Sequence, residues 1–201
     1  ARCVPIGAKR GCPVSGSHCT DPALEGRRGQ VRARDSVITD LRNLKRLAPD
    51  ALAVFTDSVF NDPDGLFREL CATRLPMFFS AFVTPFSLTE RDADTMVSAG
   101  LAHAEVGIDA ATDETLRGLN KPFDFKQAAR ACKMLRARGV SVSVSVMFGG
   151  PGETSETLRR GIDNLRSLGD CHADIFSGIR ILPGTPLHKR ALEEGRAPAV
   201  L

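Results

Sequence analysis

The stretch SVSVSVMFGGPGETSETLRRGIDNLRSLG, residues 141–169, contains one complete unit of the pattern that decides the fold. Its first residues alternate serine with valine, which is the period of two that a β-strand shows. A glycine-rich turn follows at 149–152, and a helical pattern then begins at Thr154 and stops at Gly169, a residue type that favours helix ends. A strand, a tight loop and a helix in direct succession predict a βα unit.

The same succession recurs along the whole chain. Apolar runs of strand length predict strands at 3–9, 51–57, 77–84, 103–109, 141–149 and 174–182. Helical patterns lie between them at 35–48, 63–73, 87–99, 124–138 and 154–168. Strands and helices that alternate with short links indicate parallel strands joined by right-handed crossovers. We therefore expect an α/β fold, a partial TIM-type (β/α)6 barrel of parallel strands with outer helices; a doubly wound open sheet is the alternative, and the pattern does not separate the two.

The composition fits one domain over residues 1–201. Hydrophobic residues make up 42% of the chain and charged residues 25%, which suffices for a sizeable core. The net charge of +3 is small and evenly spread, so no nucleic-acid partner is expected. Because the chain starts at Ala1 without Met, we expect it to be a fragment of a longer protein.

The sequence also indicates the cellular compartment in which we expect the protein. No apolar run approaches the ~18 residues of a membrane span, so no transmembrane segment is predicted, and no signal peptide is visible. Six cysteines are too few for a disulfide scaffold in a chain of 201 residues, so we expect a cytoplasmic protein in a reducing cytosol. Cys71 and Cys132 lie in helical patterns, which is typical of buried core thiols.

Polar residues fall where an apolar parallel strand would not need them. Glu105, Gly107 and Asp109 share one face of a predicted strand, and Asp57 and Arg180 lie near the carboxyl ends of two others. That end of the strands carries the sites of α/β barrels and open sheets. Ordinary polarity at a strand end explains any single one of these residues, but several together indicate a site.

Two glycine-rich loops follow predicted strands. MFGGPGET, residues 147–154, is either a phosphate or nucleotide cradle or a tight turn with a helix cap. RILPGTPL, residues 180–187, combines a Pro-Gly turn with a helix that starts at Thr185 and Pro186. Neither loop contains a GxGxxG or GK[ST] motif, so a dinucleotide or P-loop site is weakly supported.

Two cysteines lie in a loop of a different kind. KRGCPVSGSHCT, residues 9–20, places Cys12 and Cys19 in a stretch rich in glycine, proline and serine. Such a loop suits a metal cluster, although a cluster site would require another thiolate near the middle, at the place of Gly16.

The order of the motifs resembles the radical S-adenosylmethionine (radical SAM) enzymes, and more narrowly those members that often carry an amino-terminal cobalamin-binding domain. The resemblance extends from about residue 3 to residue 195. The motifs that carry it are the cysteine loop, FTDSVFN (55–61), EVGIDAATDETLRGLNK (105–121), VMFGGPGET (146–154) and GIRILPGTPL (178–187).

The resemblance implies a [4Fe–4S] cluster at the mouth of the barrel, held by three cysteines spaced C-x3-C-x2-C. The fourth iron stays open and binds S-adenosylmethionine (SAM), whose one-electron reduction yields a 5′-deoxyadenosyl radical that acts on an organic substrate. The substrate, a small or lipid-like molecule, is not identified by these motifs. The resemblance further implies an electron donor such as flavodoxin or ferredoxin. Cobalamin would require a domain outside these residues.

The site residues follow from the same resemblance, position by position. Cys12 and Cys19 match the first and third cluster ligands. His18 matches the position that packs near the adenine. Asp57 and Ser58 match the position that binds the methionine amino group. Asp109 matches the acidic residue near the ribose and methionine. The remaining matches are Lys121 and Arg180 as carboxylate or ribose contacts, and Gly149, Gly150, Gly152, Glu153, Ile181 and Leu182 as adenine-binding segments.

Gly16 departs from the family pattern, because the second cysteine belongs at this position. Three interpretations stay open. The chain is a degenerate relative that keeps the barrel and its nucleoside pocket, or an altered sequence of an active enzyme, or the holder of an unusual two-cysteine cluster.

The sequence leaves three alternative functions open. The first is a radical SAM enzyme, and the second is a non-catalytic barrel that binds SAM or another nucleoside without a stable cluster. The third is a metal-independent aldolase or isomerase with a phosphate at residues 149–154. It ranks last because no lysine stands at a clear strand end.

Overall fold

A computed structural model describes residues 2–27, 29–62 and 66–196, without the side chain of Leu66. Six strands form the main sheet: β1 (Cys3–Ile6), β4 (Leu52–Phe55), β5 (Phe79–Val83), β6 (Leu101–Asp109), β7 (Ser141–Phe148) and β8 (His172–Ser177). A separate antiparallel pair consists of β2 (Lys9–Arg10) and β3 (Gln30–Val31).

The strand order decides between the two expected architectures. The main sheet runs β1-β4-β5-β6-β7-β8, and every neighbouring pair is parallel. Each strand is therefore added on the same side as the one before it, whereas a doubly wound sheet reverses its direction at a switch point. The α/β fold with a barrel-type parallel sheet is confirmed.

Eight helices lie within the described ranges. They are α1 (Asp21–Leu24), α2 (Arg34–Leu47), α3 (Leu66–Leu70), α4 (Glu90–Ala99), α5 (Asp113–Gly118), α6 (Phe125–Arg136), α7 (Ser155–Ser167) and α8 (Pro186–Glu193). Reciprocal capping boxes fix where three of them begin, with Thr89, Asp124 and Thr154 as the N-cap residues of α4, α6 and α7. No described helix is both long enough and apolar enough to cross a bilayer.

The alternation along β6 separates the core from the inner face of the sheet. Ala104, Val106 and Ile108 are fully buried within the hydrophobic core, and strand β6 contacts helices α4 and α6. At the alternate positions, Glu105 and Asp109 are only half-buried, because they point to the opposite face. The inner face is therefore free for a site, while the outer face supplies stability.

Several predicted boundaries are wrong. The last strand ends at Ser177, not at residue 182, because Gly178 adopts φ of 90° and breaks the extended backbone. The first strand ends at Ile6, not at residue 9. The helix predicted at 63–73 covers Leu66–Leu70, and residues 63–65 lie outside the described residues. Helices α1 and α5 and the pair β2–β3 were not predicted.

Candidate functional site

The cysteine loop is held in place by backbone hydrogen bonds to distant parts of the chain. The N–H of Cys12 donates to the carbonyl of Gly26 at 3.1 Å, and the N–H of Ser17 donates to the carbonyl of Leu119 at 2.9 Å. Cys12 is buried and Cys19 is half-buried. These bonds tie the loop to the segment between α1 and β3 and to the end of α5.

Gly16 lies in this loop between the two cysteines. A Cβ atom built there would lie 3.5 Å from Cε1 of His18 and 3.7 Å from Cβ of Cys19, which are ordinary van der Waals distances. Its φ lies outside the left-handed region that favours glycine. The backbone therefore does not require glycine here.

The donor set falls short of a cluster site. Two thiols, Cys12 and Cys19, are present where the family pattern places three cysteines, and no group of three or more Cys, His, Asp or Glu that could hold a metal occurs among the described residues. Burial raises the pKa of both thiols, so neither is a ready thiolate without a bound cation. The described residues do not provide a complete [4Fe–4S] site.

A cavity of about 260 Å³ opens directly under the loop. Cys12, Gly16, His18 and Cys19 line it from the loop side. The sheet contributes inner-face residues from three strands, and two loops add a serine and a lysine: Phe82, Glu105, Gly107, Asp109, Ser145, Ser58 and Lys121. The remaining lining residues are Val14, Asp21, Val59, Val83 and Thr84.

Asp109 is the charged centre of this cavity. It ends β6 with φ of 63°, at an irregularity in the pairing with β7. Its Oδ2 atom accepts a hydrogen bond from the ammonium group of Lys121 and lies 3.7 Å from Nε2 of His18. A left-handed backbone at a non-glycine residue is costly and is found often at functional sites.

His18 packs against this carboxylate with an unsatisfied nitrogen. Its Nδ1 atom is buried and has no hydrogen-bond partner. Burial lowers the pKa of His18, although the charge of Asp109 opposes that shift. The ring is therefore neutral near pH 7, and its orphaned nitrogen suits a ligand at this position.

A second cavity of about 310 Å³ adjoins the first. The two share His18, Asp109 and Ser145 in their walls. Arg180 and Leu182, from the segment after β8, line the second cavity. The structure thus brings these two predicted residues next to the Asp109 centre.

The glycine-rich loop after β7 lines a third cavity, also of about 310 Å³. Gly149, Gly150, Gly152, Glu153 and Ile181 contribute to its wall. The carboxylate of Glu153 accepts a hydrogen bond from the N–H of Gly149, which closes the loop on itself. These residues lie together, but in a cavity that shares no lining residue with the other two.

Asp57 has a different position from its predicted neighbour Ser58. Asp57 is 2% exposed and does not line the cavity, whereas Ser58 does. Its Oδ1 atom accepts hydrogen bonds from the N–H groups of Ala8 at 2.8 Å and Lys9 at 3.0 Å. In this structure Asp57 fixes the segment that leads into the cysteine loop, and its contact with the methionine amino group stays a prediction.

Glu105 and Ser145 are among the cavity residues that were not predicted as site residues. Glu105 was recognised on the same strand face as Asp109, and Ser145 within the serine–valine alternation of β7, but neither was assigned a role. The signal was the alternation itself. Serines at every second position of a buried parallel strand indicate a polar inner face.

Comparison with known proteins identifies the family. The sequence model described as the Radical SAM superfamily matches residues 8–165, which is more than half of the chain. The tryptophan 2-C-methyltransferase of Streptomyces laurentii is 26% identical over 92% of this chain and 34% of its own length.

Solved structures agree with this match. The radical SAM methyltransferase TsrM from Kitasatospora setae, with cobalamin and a [4Fe–4S] cluster bound, superposes with a TM-score of 0.85 at 27% identity. That match covers 94% of this chain and 39% of TsrM. The cobalamin-dependent radical enzyme OxsB superposes with a TM-score of 0.76 at 13% identity, over 96% of this chain and 35% of OxsB, which supports the fold alone. The chain thus spans between a third and two fifths of the length of these proteins.

Proposed function

Because the chain belongs to the radical SAM superfamily, we propose that it binds SAM in the two adjoining cavities below the cysteine loop. The observation that carries this proposal is the group formed by Asp109, Lys121 and His18. It stands where the two cavities meet and presents a carboxylate, an ammonium group and a neutral aromatic ring to one ligand.

Each member of the group suits one part of SAM. Lys121 is 9% exposed and supplies a positive charge for the carboxylate of the methionine moiety. Asp109 accepts hydrogen bonds from ribose hydroxyls or from the amino group. The buried Nδ1 atom of His18 gains a partner when a ligand N–H or O–H donates to it, and the ring itself offers an apolar face to the adenine.

We further propose that Gly16 leaves the chain without a stable cluster, so that SAM binding does not depend on iron. When bound, a [4Fe–4S] cluster would supply the electron that cleaves SAM. The described residues provide two of its three thiolates. On this proposal the chain is a nucleoside-binding barrel that keeps the superfamily fold.

A radical enzyme is the second candidate, and one observation favours it. Cys12 and Cys19 are both retained, and both line the cavity next to the Asp109 centre. On this alternative the missing ligand comes from outside the two cysteines, such as a small thiol or water. The enzyme would then act on a small organic substrate in a reducing cytosol, with flavodoxin or ferredoxin as electron donor and cobalamin from a further domain.

SAM binding to metal-free protein tests the first proposal. Titration calorimetry should show binding to the wild type, and Asp109→Asn should weaken that binding at least tenfold. Asparagine tolerates the left-handed backbone at this position, so the variant removes the charge and keeps the conformation. Asp163→Asn on the exposed face of α7 is the matched control and should bind like the wild type.

Two results would contradict the proposal. One is no heat of binding with the wild type at millimolar SAM. The other is an equal dissociation constant for Asp109→Asn, which would place the ligand away from the Asp109 centre.

A further inference from the structure

Glu105 lies deeper in the barrel than the SAM group, on the same face of β6 as Asp109. The two residues are four positions apart, which corresponds to ~13 Å along a strand. Gly107 lies between the two, and a Cβ atom built on it would meet nothing within 4 Å. The cavity therefore continues past Gly107 from the Asp109 centre to Glu105, and both carboxylates line it.

A directional chain of hydrogen bonds holds the Glu105 carboxylate. Ser143 donates to its Oε2 atom at 3.2 Å, and Ser145 donates to its Oε1 atom. Since the one hydroxyl proton of Ser143 is used in this way, Nε2 of His103 must donate to Ser143, at 3.1 Å. Ser80 Oγ lies within hydrogen-bond distance of Nδ1 of His103, at 2.8 Å. Both serines that contact the carboxylate therefore donate to it.

Glu105 forms no ion pair within the part of the chain that the structure describes. The carboxylate of Asp109 has Lys121 and His18 as neighbours. By contrast, no Lys, Arg or His nitrogen of the described residues lies within 4.0 Å of the Glu105 carboxylate. The serine hydroxyls occupy one acceptor site on each oxygen and leave others open towards the cavity. A half-buried carboxylate of this kind gains most from a cationic ligand.

The wall beside it is aromatic. Phe82 projects from β5 to the same cavity and is 41% exposed. An exposed phenylalanine ring on the inner face of a sheet is available to an apolar or aromatic group, and its face attracts cations. Charge and apolar surface therefore coincide in the deep part of the cavity.

We propose that Glu105 is the substrate-binding residue of this barrel and that its ligand is a small organic cation, a protonated amine whose carbon skeleton packs on Phe82. Ser143 and Ser145 are positioning residues, because they orient the carboxylate through its two oxygens. The proposal rests on the proposed function, since the substrate would lie next to SAM, below the Asp109 centre.

Probe binding tests this proposal independently of SAM and iron. Benzylammonium, benzyl alcohol and benzoate share one ring and differ in charge. Calorimetric or NMR titration of metal-free wild-type protein should show binding of benzylammonium, at least tenfold weaker binding of the alcohol, and no binding of benzoate. Glu105→Gln should weaken benzylammonium at least tenfold and leave the alcohol unchanged. Glu156→Gln, an exposed residue of α7, is the control and should match the wild type.

Outcomes that overturn the proposal are distinct from a failure of SAM binding, because no SAM is added. Equal dissociation constants for benzylammonium in the wild type and Glu105→Gln would overturn it. So would a wild type that binds none of the probes at tens of millimolar, or that binds the alcohol as tightly as the ammonium. Thermal unfolding of Glu105→Gln separates a structural role: a lowered midpoint with unchanged probe selectivity would mean that Glu105 only ties β6 to β7.

Discussion

At position 16 the backbone leaves room for a side chain that the sequence does not supply. A Cβ atom there makes ordinary contacts with His18 and Cys19, and φ does not favour glycine. A cysteine at this position would therefore not require the loop to change shape. The effect of this residue is chemical, and a variant can restore the ligand without a cost in strain.

We expect Gly16→Cys to hold about four irons per chain after anaerobic reconstitution with iron and sulfide, and the wild type to hold clearly fewer. Ser15→Cys is the matched control, because it adds a thiol one residue away from the family spacing and should resemble the wild type. Iron and labile-sulfide content are the measurements. A wild type with as much iron as Gly16→Cys would favour the radical enzyme over the metal-free barrel.

At the scale of elements, the glycine-rich loop packs against the end of a helix that the sequence analysis did not predict. A Cβ atom at Gly118, the last residue of α5, would lie 1.9 Å from the carbonyl oxygen of Pro151. The N–H of Ser17 and the side chain of Asn120 also tie the cysteine loop to this region. Helix α5 therefore joins the cysteine loop and the glycine-rich loop.

Gly118→Ala should destabilise the protein by about 1–3 kcal/mol, because the backbone of the 149–153 loop has to move away from the added methyl group. Gly107→Ala is the control, since its Cβ atom would meet nothing within 4 Å and its free energy of unfolding should change little. Urea denaturation measures both. Equal stability of the two variants would show that the loop does not depend on this contact.

The helices and strands also show how much of the fold could be predicted from the sequence. The serine–valine alternation predicted β7, and the helical patterns at 87–99, 124–138 and 154–168 predicted α4, α6 and α7, because these signals are local. Helix α5 was missed because its six residues are too short for a helical period to show. The clamp of Asp57 on Ala8 and Lys9 was missed for a different reason, since it joins segments 48 and 49 residues apart.

At the scale of the whole molecule, the candidate site also depends on contacts between residues that are far apart in the sequence. The sequence predicted that Asp109 and Arg180 lie at one end of the sheet, and the structure places both in the walls of one cavity. It did not predict that residues 149–153 face a separate cavity, because loop direction depends on packing against α5. The positions of these strand ends could be predicted from the sequence, whereas the directions of the loops could not.

Because its carboxyl group is buried, we expect Asp57 to make the free energy of unfolding depend on pH. Burial raises the pKa of its carboxyl above the ordinary value of 3.8, and the N–H groups of Lys9 and Ala8 oppose the shift. The charged form is thus disfavoured in the folded state. Its contribution to the free energy of unfolding is most favourable below pH 3.8 and is lost as the pH rises through the folded-state pKa.

Asp57→Asn keeps an oxygen for both N–H groups and never ionises. We expect its free energy of unfolding, relative to the wild type, to increase as the pH rises from the ordinary value of 3.8 through the raised folded-state pKa of Asp57. Asp57→Ala leaves the two N–H groups without a partner and should cost about 1–3 kcal/mol throughout. Urea unfolding across this pH range is the measurement. A difference between the asparagine variant and the wild type that does not change with pH would contradict the expected shift.

The room at Gly16 also has a consequence for how such a chain changes over generations. A glycine codon that ends in a pyrimidine becomes a cysteine codon by one base substitution. Because the loop already accommodates a Cβ atom there, that mutation needs no compensating change elsewhere. A lineage that carries this loop can therefore cross between two-cysteine and three-cysteine forms in a single mutational step, in either direction.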